Sequence, residues 1–127
     1  MRRKIITMIV VGVILATLSA VEQISVHRIT DSALEQTSEI LNAVRMGDLE
    51  AAIEKAHALD EAWDREASMM EMIIDHGSAD DVRFALSRLI ASLESGDSSS
   101  AMIYASELEG GIEHVLERQE LSPQNVL

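Results

Sequence analysis

Near its N-terminus the chain has an uncharged apolar run of 17 residues, residues 5–21. Its polar members are Thr7, Thr17 and Ser19. As an α-helix the run spans about 25 Å, slightly less than the ~30 Å hydrocarbon core of a bilayer. Residues 2–4, Arg-Arg-Lys, precede it, and their long side chains reach back to the headgroups and cover the shortfall. The run therefore predicts a transmembrane helix.

Two interpretations of this segment remain open. In the first it is an uncleaved signal anchor. Three cations precede the run and none follows it closely, which places the N-terminus in the cytoplasm and the rest of the chain outside. In the second it is a signal peptide cleaved after Thr17-Leu18-Ser19, or after Ala20, where Leu18 fits the cleavage pattern poorly. A lipid anchor is excluded because the chain has no cysteine. We expect the uncleaved anchor.

Beyond the apolar run the chain is strongly acidic. The sequence holds 22 acidic and 10 basic side chains, a net charge of −12, and from Glu22 onward the balance is −15. This charge excludes a general nucleic-acid binder, because phosphate neutralisation requires clustered lysine and arginine. The absence of cysteine also removes disulfides, thiolate zinc ligands and cysteine nucleophiles. Only three aromatic residues are present, too few for a stacking platform.

The remainder of the chain repeats apolar residues at helical spacing, which predicts an all-α domain. Three pairs of a glycine and a capping residue divide it into four segments: Gly47-Asp48, Gly77-Ser78 and Gly96-Asp97. Glycine favours a helix C-terminus and the following polar residue favours the next N-cap. Ser122-Pro123 is expected to end the last helix.

Short turns between long amphipathic helices predict a small antiparallel bundle of two helical hairpins. A weak internal repeat with an offset of 49 residues supports this architecture, since Gly47-Asp48 recurs as Gly96-Asp97. The flanking matches are Ala52 with Ala101, Ala56 with Ala105, Leu59 with Leu108, Ile40 with Leu89, and Val44 with Leu93. A helix, Gly-Asp, helix hairpin used twice explains these matches.

Two places in the helical part of the sequence each allow two interpretations. Thr30-Asp31-Ser32 either caps a new helix, with Glu35 completing a capping box, or lies inside one helix that runs unbroken from the membrane into the bundle. Gly110-Gly111 lies within the fourth apolar stripe at a cost of about 2 kcal/mol relative to alanines. It marks either a kink or a close helix contact.

Few residues carry a chemical signal. Glu54 and His57 form a Glu-x-x-His pair of the kind used in di-iron bundles, but no other histidine has a glutamate three residues before it. Asp75-His76 resembles a catalytic pair, and it is explained as well by a histidine at a helix C-terminus. The serines at 98–100 indicate a helix start. The carboxylates of Glu107, Glu109 and Glu113 lack the spacing of a calcium loop.

Two kinds of side chain suggest contact surfaces. Trp63, the only tryptophan, lies on the second apolar stripe, so core packing is favoured over a role as a partner hot spot. Met69, Met70 and Met72 fall within one turn, with Met69 and Met72 near the edges of the stripe, where they offer an adaptable surface. We predict no catalytic, cofactor-binding or metal-ligating residue.

The order of these features resembles a bacterial family of short membrane-anchored helical proteins, domain-of-unknown-function family 4363. The resemblance spans nearly the whole chain. It rests on the basic and apolar N-terminus ending at Glu22-Gln23, on Trp63, Asp75-His76, the stripe Val82, Leu86, Leu89 and Ile90, the Gly96-Asp97 turn, and the tail Glu120-Leu121-Ser122 with Asn125-Val126-Leu127. The family has no established activity, so the resemblance implies location and architecture and no catalytic residue.

The sequence thus predicts a signal-anchor helix at residues 1–21, an extracytoplasmic helical domain at 22–121 and a short tail at 122–127. The expected function is non-enzymatic: protein–protein interaction, or an accessory role to another membrane or extracytoplasmic protein, at the bacterial cytoplasmic membrane. Neither nucleic acid nor a small-molecule substrate or cofactor is expected. The alternatives are a secreted helical protein released by signal cleavage and, from another class, a small metal-binding or hydrolytic enzyme.

Overall fold

The computed structural model describes the backbone of residues 1–69 and 76–126, and the side chains of residues 1–68 and 77–118. Within this part of the chain there are four α-helices and no strand. They are α1 (Arg2–Arg45), α2 (Leu49–Met69), α3 (His76–Glu94) and α4 (Ser98–Val126). The predicted all-α fold is confirmed, with a long apolar first helix that continues into a helical bundle.

The first helix, α1, is continuous from the apolar run into the bundle and measures about 66 Å over its 44 residues. Whether residues 30–32 cap a new helix or lie inside a continuous one is decided by the environment of Thr30. Its side chain is fully buried, and the Oγ1 hydroxyl donates to the carbonyl oxygen of Val26, 2.9 Å away. A threonine whose hydroxyl is satisfied by the preceding turn stays inside a helix. Residues 30–32 therefore cap no new helix.

The two Gly-Asp turns form as predicted and are built alike. Gly47 and Gly96 have φ values of 76° and 75°, the left-handed backbone that glycine adopts without strain. The amide of Asp48 donates to the carbonyl of Ala43, and the amide of Asp97 donates to that of Ser92, both at 2.9 Å. With the glycine amide bonded three residues back, each turn is a Schellman motif.

Each aspartate after the glycine then caps the next helix. Asp48 Oδ1 accepts from the amide of Ala51, and Asp97 Oδ1 accepts from that of Ser100, both at 3.1 Å. These bonds satisfy donors that the first turn of a helix leaves without an internal partner. The turns reverse the chain within three residues, so α1 with α2 and α3 with α4 are antiparallel hairpins.

The four helices pack in a ring, each helix against its two neighbours. The two hairpins therefore meet along α1 and α4 and along α2 and α3. Between α2 and α3, His57 Nε2 lies 3.1 Å from Glu94 Oε1, and Arg83 Nη2 lies 3.1 Å from Asp64 Oδ1. Alanine, leucine and β-branched residues fill the interior, around Trp63. Both Gly-Asp turns lie at the end of the bundle that is farthest from residues 5–21.

Two predicted boundaries are wrong. Gly77-Ser78 is not a turn, because α3 already begins at His76, and Ser78 is buried inside its first turn. A glycine in a helix costs only about 1 kcal/mol, which packing of the neighbouring position overrides. Likewise α4 does not end at Ser122-Pro123 but continues to Val126. Proline removes one backbone bond and strains a helix without making its continuation impossible.

The pair Gly110-Gly111 lies within α4, which passes through both residues uninterrupted. A Cβ atom built on Gly111 would lie 3.6 Å from Val82 Cγ2, an ordinary van der Waals distance, and one on Gly110 would meet nothing within 4 Å. Neither glycine is therefore required by the close helix contact that the sequence suggested. Their small size instead leaves this part of α4 without side chains.

Candidate functional site

The largest exposed apolar surface in the described chain is the N-terminal half of α1. Every residue from 1 to 24 is exposed, and the most apolar 18-residue window of the helix has a mean hydropathy of 2.3 with none of it buried in the protein. Among the described helices it is the one that is long and apolar enough to cross a membrane. The bundle leaves this whole surface for contact with something outside the chain.

The polar atoms of this segment are largely paired within the helix. The hydroxyl of Thr7 donates to the carbonyl of Arg3, and that of Thr17 donates to the carbonyl of Val13, both at 2.8 Å. Hydroxyls that are satisfied in this way no longer need water. Residues 5–21 therefore suit a hydrocarbon environment better than their composition alone indicates.

The change from exposed to buried surface along α1 is abrupt. Ile24 is 62% exposed, Ser25 is half-buried and Val26 is 1% exposed. Val26 follows the end of the apolar run by five residues, about 7 Å of helix. This is roughly the thickness of one headgroup layer, so a membrane around residues 5–21 would have the bundle resting directly on its surface.

Glu54 and His57, the candidate metal ligands, both lie on the exposed surface of α2. His57 pairs with Glu94 of α3, as described above, and both side chains are about half exposed. Glu54 is exposed on α2. Over the described residues no three histidine, aspartate or glutamate side chains converge as a metal site would require. What the structure gives His57 is a surface contact between the two hairpins.

The other chemical candidates are placed as follows. Ser100 belongs to the cap of α4, where its hydroxyl donates to Asp97 Oδ2 at 2.6 Å. This bond and the one from the Ser100 amide hold the pKa of Asp97 below its ordinary value. Glu107 pairs with Arg88 of α3 at 3.6 Å, whereas Glu109 and Glu113 are exposed. Asp75 and the side chain of His76 lie outside the described residues.

Trp63 lies in the core, as its place on the apolar stripe predicted. It is 1% exposed, and its Nε1 donates to the carbonyl oxygen of Ala79 on α3 at 3.4 Å. A side chain this deeply buried is not available to a partner. Of the methionine group, Met70 and Met72 and the side chain of Met69 lie outside the described residues, so the proposed methionine surface stays a prediction.

Besides Met46 in the first Gly-Asp turn, which is 82% exposed, sequence reasoning missed two exposed large apolar side chains on the helices of the bundle. Phe84 on α3 is 59% exposed and Ile103 on α4 is 60% exposed. Both fall outside the apolar stripes of their helices, and an apolar residue off a stripe is the signal that would have identified them. The stripe of α3 consists of Val82, Ala85, Leu86, Leu89, Ile90 and Leu93, and that of α4 of Ala101, Met102, Ala105, Leu108, Ile112, Val115 and Leu116. They lie in the second hairpin, on either side of the Arg88–Glu107 ion pair.

These features define a class of protein: an antiparallel four-helix bundle whose first helix extends beyond it as an exposed apolar helix. The chain belongs to the family described as Domain of unknown function (DUF4363), whose model matches residues 21–126. The match begins where the apolar run ends, so it covers the bundle. No curated protein and no solved structure matches the chain.

Proposed function

We propose that this protein is a membrane-anchored interaction module without enzymatic activity. Its apolar segment crosses the bacterial cytoplasmic membrane once, with the N-terminus inside and the acidic bundle outside. Continuity of α1 supports this function above all, because it joins a fully exposed apolar helix to the buried interior of the bundle. The three cations before the run support the orientation.

The acidic bundle fits this position. Anionic headgroups repel a negatively charged domain, so the bundle stays upright on α1, with only its base at the membrane surface, and does not lie flat against the bilayer. The structure also supports a role in binding other proteins over a role in catalysis. Of the candidate metal pair, Glu54 and His57, the histidine contacts Glu94. The candidate serine at 100 completes a helix cap.

The test is the intact mass and the membrane behaviour of the native protein. We expect a full-length mass in a membrane pellet that resists alkaline extraction. A protease should reach the bundle only from the extracytoplasmic side of the membrane. A mass that begins near residues 20–22, recovered in the soluble fraction, would make the protein a secreted bundle and overturn the anchor. None of the residues lost in that case is buried in the bundle.

The non-enzymatic part of the proposal is tested separately. Replacing both Glu54 and His57 by alanine is expected to leave divalent-metal binding unchanged, and the loss of the exposed His57–Glu94 pair should lower stability by at most about 1 kcal/mol. A variant that loses stoichiometric metal binding would revive the enzyme hypothesis. Cross-linking in intact membranes is expected to recover a defined protein partner, and recovery of nothing above background would count against an interaction module.

A further inference from the structure

The internal repeat allows the outer face of one hairpin to be compared with that of the other, position by position. On α3 and α4 we define the second-hairpin face by six residues: Phe84, Arg88, Ala91, Ile103, Glu107 and Gly110. Subtracting 49 from each number gives the first-hairpin face: Glu35, Glu39, Asn42, Glu54, Ala58 and Glu61. All twelve residues are exposed. The same geometry therefore carries two very different surfaces.

The first-hairpin face has the composition of a solvated helix surface, with four glutamates among six residues. Where it has Glu35 and Glu54, the second-hairpin face has Phe84 and Ile103. Where it has Glu61, the second has Gly110. Since the two faces are built on equivalent helices, the apolar character of the second is not a requirement of the fold. Two large exposed apolar side chains at positions where the repeat has glutamates make the second-hairpin face the candidate contact surface.

Contacts between α3 and α4 show which residues of this face are level with one another, that is, lie at the same height along the bundle axis. Arg88 pairs with Glu107, and a Cβ on Gly111 would touch Val82. Phe84 lies between these two contacts on α3 and is therefore level with Gly110 on α4. Continuing the register by one turn toward Gly96 brings Ile103 level with Ala91. The face thus consists of three rows across the two helices.

We infer that the second-hairpin face binds the same face of a second copy of this chain in a parallel, two-fold dimer. Anchors in one membrane orient both copies alike and hold them at one height, so the two-fold axis lies along the membrane normal. Such an axis places α3 of each copy against α4 of the other. This inference rests on the proposed anchoring, because the anchor supplies the common height.

Under that two-fold axis the three rows are complementary. Phe84 meets Gly110 of the second copy, Arg88 meets Glu107, and Ala91 meets Ile103. Each large apolar side chain therefore lies opposite a residue with a small side chain or none, and each charge lies opposite its counter-charge. The same operation on the first-hairpin face would place Glu35 against Glu61, which is repulsive. The sequence thus favours the second-hairpin face, and not the first-hairpin face, for self-association.

The absence of cysteine in the chain makes a direct test possible. A full-length copy carrying Phe84→Cys is co-expressed with a differently tagged full-length copy carrying Gly110→Cys, and a short thiol-specific cross-linker is applied to intact membranes. We expect a cross-linked heterodimer of the two tags. The control pair carries Glu35→Cys and Glu61→Cys, the repeat-equivalent positions on the first-hairpin face, and is expected to give no product above background.

A disrupting variant completes the test. Ile103→Glu introduces into both copies the residue found at the equivalent position 54. It should reduce the 84–110 product by about tenfold or more, since it places two buried charges in the interface. Because Ile103 is exposed in the single chain, helical content and tryptophan emission should not change. The conservative variant Ile103→Val should retain the product.

Three results would overturn the inference: a chain retained in the membrane pellet without the 84–110 product, equal yields from the control pair, or a product that contains a different protein. Failure of the anchor is distinguishable from these, because it appears as loss of the chain from the pellet whatever the cross-linking shows.

Discussion

Trp63 on α2 and Ala79 on α3 connect the two hairpins through an indole N–H that donates to a backbone carbonyl at 3.4 Å. The indole itself is almost completely buried, between helices that belong to different copies of the internal repeat. The long hydrogen bond contributes little by itself. The volume of the ring is what fills the space between the hairpins.

We therefore expect Trp63→Ala to destabilise the bundle by about 3–5 kcal/mol, because it leaves a large cavity. Trp63→Phe keeps most of the apolar volume and should cost clearly less. The measurement is urea unfolding of the full chain in detergent, followed by circular dichroism. Glu61→Ala, at an exposed position of the same helix, is the control and should change stability by less than about 0.5 kcal/mol. Equal losses for the two Trp63 variants would contradict the volume argument.

The two capping aspartates give a second prediction. Asp48→Ala should cost about 1 kcal/mol, because the amide of Ala51 loses its acceptor at the start of α2. Asp97→Ala should cost more than Asp48→Ala, since Asp97 also accepts from the Ser100 hydroxyl. Chemical unfolding of both single variants and of the double variant checks this order. The two caps share no hydrogen-bond partner, so the two effects should add.

The pH dependence of the Asp97 cap follows from the direction of its pKa shift. Hydrogen bonds from the side chain and then the backbone of Ser100 lower the pKa of Asp97 in the folded state below 3.8. A lowered folded-state pKa contributes stability that is present above the unfolded-state value and is lost as the pH falls through the folded-state value. Asp97→Asn should therefore flatten the stability profile below about pH 4. A variant profile parallel to that of the wild type would contradict the assignment.

Replacing Gly111 and Gly96 by alanine should change the stability of the bundle in opposite directions. Gly111→Ala is expected to stabilise α4 by about 1 kcal/mol, because a helical alanine is favoured over glycine and its Cβ has room beside Val82. Gly96→Ala should destabilise by about 1–2 kcal/mol, because φ at this position is 75°. Thermal unfolding of the two variants in parallel measures both signs. Destabilisation by Gly111→Ala would show that the contact with α3 is tighter than 3.6 Å.

Continuity of α1 can be measured as a distance. Spin labels on cysteines that replace Ile14 and Ser38, both exposed, are separated by 24 residues, or about 36 Å of continuous helix. We expect a narrow distance distribution near that value for the full chain in lipid bilayers. Gln23→Pro should broaden and shorten it, whereas Gln23→Ala should not. A broad distribution in the parent chain would mean that a flexible hinge joins the apolar segment to the bundle.

The parts of the fold that were predictable from sequence are those that a few neighbouring residues determine. Gly47-Asp48 and Gly96-Asp97 each contain the left-handed residue and the capping carboxylate that their turn needs. Gly77-Ser78 presents nearly the same letters, yet Ser78 is buried in a helix. That difference arises from packing against other helices, which a local pattern does not contain.

The candidate interaction surface was less accessible to sequence reasoning for a similar reason. That Phe84 and Ile103 lie off the apolar stripes can be seen from spacing alone. Their relation to Gly110 and Ala91 depends on the register of α3 against α4, which contacts such as Arg88 with Glu107 establish. The same holds at Thr30, where burial decides between a cap and a continuous helix.

An unbroken α1 also fixes the rotation of the bundle about the helix axis relative to the exposed apolar half of α1. Each residue of an α-helix turns the chain by about 100°, so one residue inserted between positions 22 and 25 would swing every outer face of the bundle by that angle. A four-residue insertion would restore this rotation to within about 40° and move the bundle about 6 Å farther along the helix axis. Any partner that contacts both the apolar segment and the bundle must therefore match this rotation, because α1 joins the two without a loop.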